Sequence, residues 1–214
     1  MRGYVETLAT DGAKMSVNQR AEFFAVILRH CDRLQRLVDQ VFTLARLDLA
    51  ALPLQPEPIA LADLMHDIVA QRLQVAREAG VRLTVSSAPR IPAVMADIAL
   101  METVAENLLD NALRHCRSGR ETHVCIEVVA SQVRVTISDE GPGIDPRDLD
   151  KVLQPFYAGE GGRTGLGLSI VQRVLALHHS RLDLRSVPGQ GTVASFELPA
   201  MKAVCREDFV TSRA

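Results

Sequence analysis

The 214-residue chain has no tryptophan, and aromatic residues make up only 4% of it. At a net charge of -2 there is no basic excess, and no basic stripe interleaved with aromatics, so no nucleic-acid partner is expected. No apolar run approaches the roughly 20 residues that a bilayer-crossing helix needs. The opening MRGYVETLAT also lacks the apolar centre of a signal peptide. A soluble, cytoplasmic chain without a membrane segment is the expectation. Cysteine is sparse and scattered: Cys31, Cys116, Cys125 and Cys205 form no CxxC pair and have no histidine at ligand spacing. Neither a zinc site nor a disulfide framework is indicated.

What is present, 47% hydrophobic and 23% charged residues, suits a globular protein with one good core and a helical appendage. From Val17 to about Leu49 there is neither Gly nor Pro, and Phe24, Ile27, Cys31, Leu34, Val38, Val41 and Ala45 recur at steps of three and four. That is the seam of a bundle helix, widened by Leu28, Leu37, Phe42 and Leu44. Tyr4 and Leu8 stand at helical spacing before a break at Asp11-Gly12, as in the last turns of another helix. So wide a stripe suits a four-helix bundle, which a second copy of the chain would complete as a homodimer. Packing of the helix on its own chain is the other reading. Residues 1–50 are thus read as a partial helical hairpin, and Pro53, Pro56 and Pro58 make 51–58 a linker.

Residues 59–200 read as the second domain. Helices are expected over Leu61 to Ala79, Asp97 to His115 and Leu166 to His178, with strands at VRLTV, HVCIEVV, QVRVTIS, LDLRS and TVASFEL. Helices inserted between strand pairs predict an α+β fold, an α/β sandwich whose mixed sheet is covered by helices on one face. Residues 201–214 have no pattern and are expected to fray.

Three stretches suggest chemistry. DEGPGI, residues 139–144, follows an alternating strand; on its own it reads as a turn, because Gly and Pro are turn formers. In ENLLDNALRH, Asn107 and Asn111 stand one helical turn apart on one face, although Asn is a mediocre helix former. An amide oxygen there suits a magnesium ion that takes its other ligands from phosphates, and Arg114 and His115 lie one turn on, where they can meet phosphate. GGRTGLGLSIV, residues 161–171, runs a glycine-rich loop into a helix start, an arrangement that favours an anion.

In this order the motifs resemble those of the sensor histidine kinases of two-component signalling. ENLLDNALRH is similar to that family's N box, DEGPG to its first glycine box, Pro155 to Tyr157 to its F box, and GLGLSIV to its second glycine box. GQGT at Gly189 to Thr192 matches the last glycine segment, and CDRLQRLVDQVFTLARLD resembles the second helix of the phosphotransfer hairpin. The resemblance implies a Bergerat-type ATP-binding sandwich, with ATP and Mg2+ as cofactors and a response regulator receiver domain as partner. It further implies that Asp139 accepts a hydrogen bond from the adenine amino group, that Asn111 holds magnesium and that Asn107 supports the phosphates. Gly141 and Gly143 would let the backbone close on the base, with Ile144 beside it. Gly165, Leu166, Gly167 and Leu168 would cradle the phosphates. Thr192 would add a hydroxyl near the base, and residues 158–164, Thr164 included, would form a mobile lid.

The chain departs from that pattern at Ala158 and Arg163 in the lid, and His178-His179-Ser180 replaces the usual His-Gly-Gly. The phosphoacceptor motif His-(Glu/Asp)-x-x-Thr-Pro occurs nowhere in it. MRGYVETLA would begin a few helical turns after that motif, so a protein-histidine kinase that does not phosphorylate itself is expected, with no catalytic residue of its own. Such a chain would be cytoplasmic, or the cytosolic part of a membrane-bound sensor. The alternatives are an ATP-binding dimerisation or docking module, a hydrolytic ATPase of the same fold, and an anti-sigma-type serine kinase. The ATPases place a glutamate one turn before the magnesium asparagine, whereas Asn107 stands there and Glu106 points about 100° away.

Overall fold

A computed structural model of the chain describes residues 2–11, 15–48, 53–157 and 164–201. The expected fraying tail from 202 and the lid residues Ala158 to Arg163 lie outside the described residues. Two helices come first, α1 at Arg2–Asp11 and the 32-residue α2 at Val17–Asp48. A reciprocal cap in SVNQ starts α2: Gln19 N–H donates to Ser16 Oγ at 3.2 Å, and Ser16 N–H donates to Gln19 Oε1 at 3.0 Å. Tyr4 of α1 meets Phe23 of α2 edge to face, with ring centroids 5.2 Å apart.

Then follow β1 (Glu57–Ile59), α3 (Leu61–Glu78), β2 (Arg82–Ser87), β3 (Val94–Ala96), α4 (Ile98–His115), β4 (Glu121–Val129) and β5 (Gln132–Asp139). The chain ends with α5 (Gly167–Leu177), β6 (Asp183–Val187) and β7 (Gly191–Pro199). Five strands form one mixed sheet in the order β2-β4-β5-β7-β6, parallel at β2 and β4 and antiparallel elsewhere. Parallel neighbours need a crossover, and β3 with α4 supplies it. Strict alternation buries Val124 and Ile126, Val133, Val135 and Ile137, and Phe196 and Leu198 on one face. The core is closed by Met65 and Ile68 of α3, Met101 and Leu109 of α4, and Ile170 and Val174 of α5. On the opposite face Arg134 bridges Glu127 and Glu197 across three strands. The sandwich with helices on one face is therefore the fold that the strand and helix periods predicted.

Two expectations change. The stretch 51–58, read as linker, ends inside β1, which pairs antiparallel with β3, Glu57 opposite Ala96. Pro58 is tolerated because a two-stranded ribbon has an outer edge that needs no N–H. Leu44, read as widening the free seam of α2, instead packs with Leu47 against the core, and Leu47 is only 2% exposed. Phe24, Leu28, Leu34, Val38, Val41 and Phe42 remain 46–65% exposed.

The His-His-Ser departure lies at the end of α5, away from the nucleotide-facing motifs. His178 Nδ1–H donates to Val174 O at 2.8 Å, and its Nε2 accepts the N–H of Asp97 at 3.0 Å. Asp97 in turn caps α4 by accepting Leu100 N–H. One imidazole therefore ties the end of α5 to the start of α4. His179 follows in the left-handed region at φ 54, where Ser180 N–H closes back on Leu175 O at 2.8 Å. Glycine is the usual residue at that position of a helix end, and a side chain there costs about 1 kcal/mol. His179→Gly is expected to stabilise the fold by roughly 0.5–1 kcal/mol, seen as a higher denaturation midpoint at unchanged slope; a lower midpoint would contradict this account of the turn.

Candidate functional site

Register places a row of four polar side chains across the end of the sheet. Thr122 stands opposite Asp139, Asp139 opposite Thr192, and Thr192 opposite Ser186. Ser186 Oγ donates to Gly191 O at 2.8 Å and accepts the N–H of Ile144 at 2.8 Å, and the Thr192 hydroxyl completes the set at 3.0 Å. Asp139 Oδ1 accepts Gly141 N–H at 2.8 Å. Burial raises the Asp139 carboxyl above its ordinary 3.8, against the opposing pull of the Gly141 and Thr192 backbone N–H groups. Beside it Thr122 Oγ1 is fully buried and has no hydrogen-bond partner among the described residues. Of the two, Asp139 reaches the cavity described next, and a desolvated acceptor there fits a ligand that brings a donor.

Above this row a cavity of about 380 Å³ opens between the sheet end, α4, the start of α5 and α2. Asn107, Asn111, Arg114 and His115 line it from α4, and Asp139, Gly143, Ile144 and Thr192 from the sheet end. Thr164, Gly165, Gly167 and Leu168 close the third side. Two expected residues do not line it. Leu166 is fully buried in the core, one residue before α5. Gly141 sits behind the wall, where a Cβ would come within 2.6 Å of both the Asp139 carboxylate and the His115 carbonyl. The missing side chain lets the β5 end close on α4. Gly165, at φ 68, is the second forced glycine, since a Cβ there would lie 2.6 Å from the backbone of Phe156 and Tyr157; at Gly167 the near atom is the movable Asn107 Oδ1, 2.8 Å from where a Cβ would stand.

On α4, Asn107 Nδ2 donates to Thr103 O at 2.8 Å, which leaves its oxygen toward Gly167. Asn111 Oδ1 accepts Arg114 Nη2 at 2.5 Å. A cation at Asn111 would take over an oxygen that a guanidinium now holds. His115 is lowered from its ordinary 6.5 by burial and then by Arg114, so the ring is neutral at pH 7. Glu106 is turned away: Arg72 Nη2 holds it at 2.9 Å, and Arg72 Nε holds Asp110 at the same distance.

Sequence reasoning missed several residues of the wall. Asp145 and Asp148 stand on the rim, both held below the usual carboxylate range, Asp145 by Arg147 and Asp148 by Lys151. Tyr157 donates to Asp148, and burial raises its phenol. Ser186 and Thr122 lie beneath the wall, beside Thr192 and Asp139, and are visible only once the strand register is known. Gln40 comes from α2, 124 positions from Thr164, and no local signal marked it: its Oε1 accepts the Thr164 hydroxyl at 2.7 Å.

The glycine-shaped cleft, the buried carboxylate and the open first turn of α5 define a nucleotide-binding α/β sandwich. Residues 96–202, half of the chain, match the model of the histidine kinase-, DNA gyrase B- and HSP90-like ATPases. The chain belongs to this family, and its catalytic-domain fold is that of the sensor histidine kinases. Over 205 residues it is 30% identical to the Sensor protein SrrB of Staphylococcus aureus, covering 93% of the chain and 35% of the relative. The chain thus spans about a third of the length of the curated relatives it matches. Among solved structures, full-length ShkA in complex with AMPPNP matches at a TM-score of 0.77 and 26% identity, over 90% of this chain and 41% of that one. The histidine kinase AdeS of Acinetobacter baumannii matches at 0.75 and 21%, over 94% and 93%. Histidine kinase ThkA in complex with the response regulator protein TrrA matches at 0.74 and 19%, over 93% and 56%. Among the described residues no helix is long and apolar enough to cross a membrane.

Folding favours the protonated form of Asp139, so that contribution is complete below 3.8 and lost as pH rises through the raised value. At neutral pH the ionised carboxylate is a cost to the fold. Asp139→Asn is therefore expected to keep or raise the melting temperature while weakening binding of an adenine nucleotide by about tenfold or more. Wild-type affinity is expected to fall as pH drops through the same window, and the Asn variant to lack that dependence. Thermal melts and calorimetric titration across pH check both; destabilisation with retained affinity would contradict the assignment.

Proposed function

We propose that the chain is the ATP-binding kinase core of a two-component sensor histidine kinase, built as a hairpin (1–50), a linker that ends where β1 begins, a catalytic domain that runs from β1 to about residue 200, and a tail. It transfers the γ-phosphoryl group of ATP to a histidine that lies outside these residues, for relay to the receiver domain of a response regulator. The observation that carries this reading is the buried Asp139 carboxylate beside an unsatisfied hydroxyl at one end of a cleft, with the open start of α5 at the other. Asp139 takes the adenine amino group, and Thr192 stands beside the base. Gly143 and Ile144 border the base, and the N–H groups of Gly165, Gly167 and Leu168 receive the phosphates.

Asn111 offers its oxygen to Mg2+ once Arg114 turns to phosphate, while Asn107 supports the phosphates and His115 stays an uncharged donor. Among the described residues no cluster of His, Cys, Asp or Glu forms a metal cage, which suits an ion that arrives on its nucleotide. Bound MgATP supplies the electrophilic phosphorus, and the chain contributes position and charge neutralisation. Water attack is disfavoured, because Glu106 is paired with Arg72 and away from the cavity. The complexes of ShkA with AMPPNP and of ThkA with TrrA support the nucleotide and the partner class. The exposed stripe from Phe24 to Phe42 supports a homodimer through α1 and α2.

The test is MgATP binding to wild type and Asn111→Ala, together with label transfer from γ-labelled ATP to an added fragment containing a phosphoacceptor-histidine helix. Metal-dependent binding lost in the variant, with label on the fragment, is expected. Binding without transfer would leave an ATP-regulated docking module, and no binding would overturn the reading.

A further inference from the structure

Gln40 belongs to α2 and lies far outside residues 96–202, yet its side chain forms part of the cavity wall. Its orientation follows from the bonds around Thr164. The Thr164 hydroxyl accepts Leu166 N–H at 3.3 Å, and its single hydrogen goes to Gln40 Oε1 at 2.7 Å. That fixes the amide oxygen on Thr164 and leaves the Nε2 hydrogens to the cavity side; among the described residues nothing accepts them. The position is at the phosphate end. Thr164 and Gly165 lead directly into α5, whose 11 residues present free N–H groups and the positive end of the dipole to the same space. On the nucleotide reading Asp139 takes the base from the sheet end, so the group nearest Gln40 and Thr164 is the one at the far end of the nucleotide.

We propose that Gln40 is a positioning residue that donates its side-chain amide to the terminal phosphate of a bound nucleoside triphosphate, so that α2 senses whether the third phosphate is present. This rests on the nucleotide reading of the cavity given above. A diphosphate ends short of the amide and leaves only the Thr164 bond between α2 and the site. A triphosphate adds a charge-assisted bond. Nucleotide state and the posture of α2 are thereby linked, and the linkage is reciprocal: whatever holds Gln40 at the site favours triphosphate over diphosphate.

Gln40→Glu separates this role from a merely structural one, because the carboxylate still accepts the Thr164 hydroxyl but has no donor and repels phosphate. Binding of a non-hydrolysable ATP analogue and of ADP, each with Mg2+, is measured by calorimetry on wild type, Gln40→Glu and the apolar, similarly long Gln40→Met. The analogue is expected to bind both variants about tenfold or more weakly, with ADP affinity changed by less than about threefold. In wild type, hydrogen exchange over residues 36–44 of α2 is expected to slow with the analogue and not with ADP. Equal losses for the two nucleotides, or none, would overturn the role of Gln40 while leaving the nucleotide site standing. A wild type that binds neither would overturn both.

Discussion

A carboxylate at the end of a central strand has to be solvated by something other than water, and most of the site follows from how that is done here. Asp139 takes one N–H from Gly141 and one from Thr192, yet burial still prevails and its proton is held more tightly than usual. The protein therefore keeps an under-satisfied acceptor at the sheet end. Everything around it limits that cost without removing it. Gly141 lets α4 close within contact of the turn, Ser186 steers Ile144 and Thr192 into place, and Thr122 remains unpaired. A site this incomplete is stable only because the core beneath is dense: Ile137, two residues earlier on the same face, is 2% exposed. Stability is given up where a ligand can return it.

α4 reconciles two demands on one helix. Its buried side, Met101 to Leu113, anchors it to the sheet, and its cavity side presents Asn107, Asn111 and His115. Between these faces Arg72 of α3 clamps Glu106 and Asp110. Both bridges are partly exposed and contribute little to stability. Their effect is directional: Glu106 is drawn toward α3 and off the cavity lining, while Asp110, still on that lining, has its carboxylate engaged by the guanidinium.

Periods of two and of three to four made the main sheet and the long helices legible, because burial of a whole face repeats over many residues. β1 and β3 span three residues each, too short for any period to register, and their pairing is settled by tertiary contact across some forty positions. The glycine and asparagine motifs were legible as a set, since order along the chain distinguishes them from ordinary turns. Residues whose role arises from register were not. Ser186 is one serine among several until it is known to face Thr192, and Gln40 is an unremarkable polar position on a long helix until α2 is laid against α5. Leu166 shows the converse: motif membership suggested contact with phosphate, but its side chain is spent on the core.

Helical geometry separates the side of α2 that meets the site from its exposed apolar stripe. Gln40, Leu44 and Leu47 follow at steps of four and three and fall within roughly 60° of one another around the axis. Leu44 and Leu47 seat that face against the core while Gln40 reaches Thr164. At about 100° per residue, Phe24, Cys31, Leu34, Val38 and Phe42 fall on the other side of the helix, centred about 160° away. Those side chains are exposed. Docking on α5 therefore does not consume the apolar stripe, and pairing through the stripe does not pull Gln40 from the cavity. Rotation of α2 about its own axis would move both faces together. Such coupling makes the packing of the free stripe and the contents of the cavity two readings of one helix orientation.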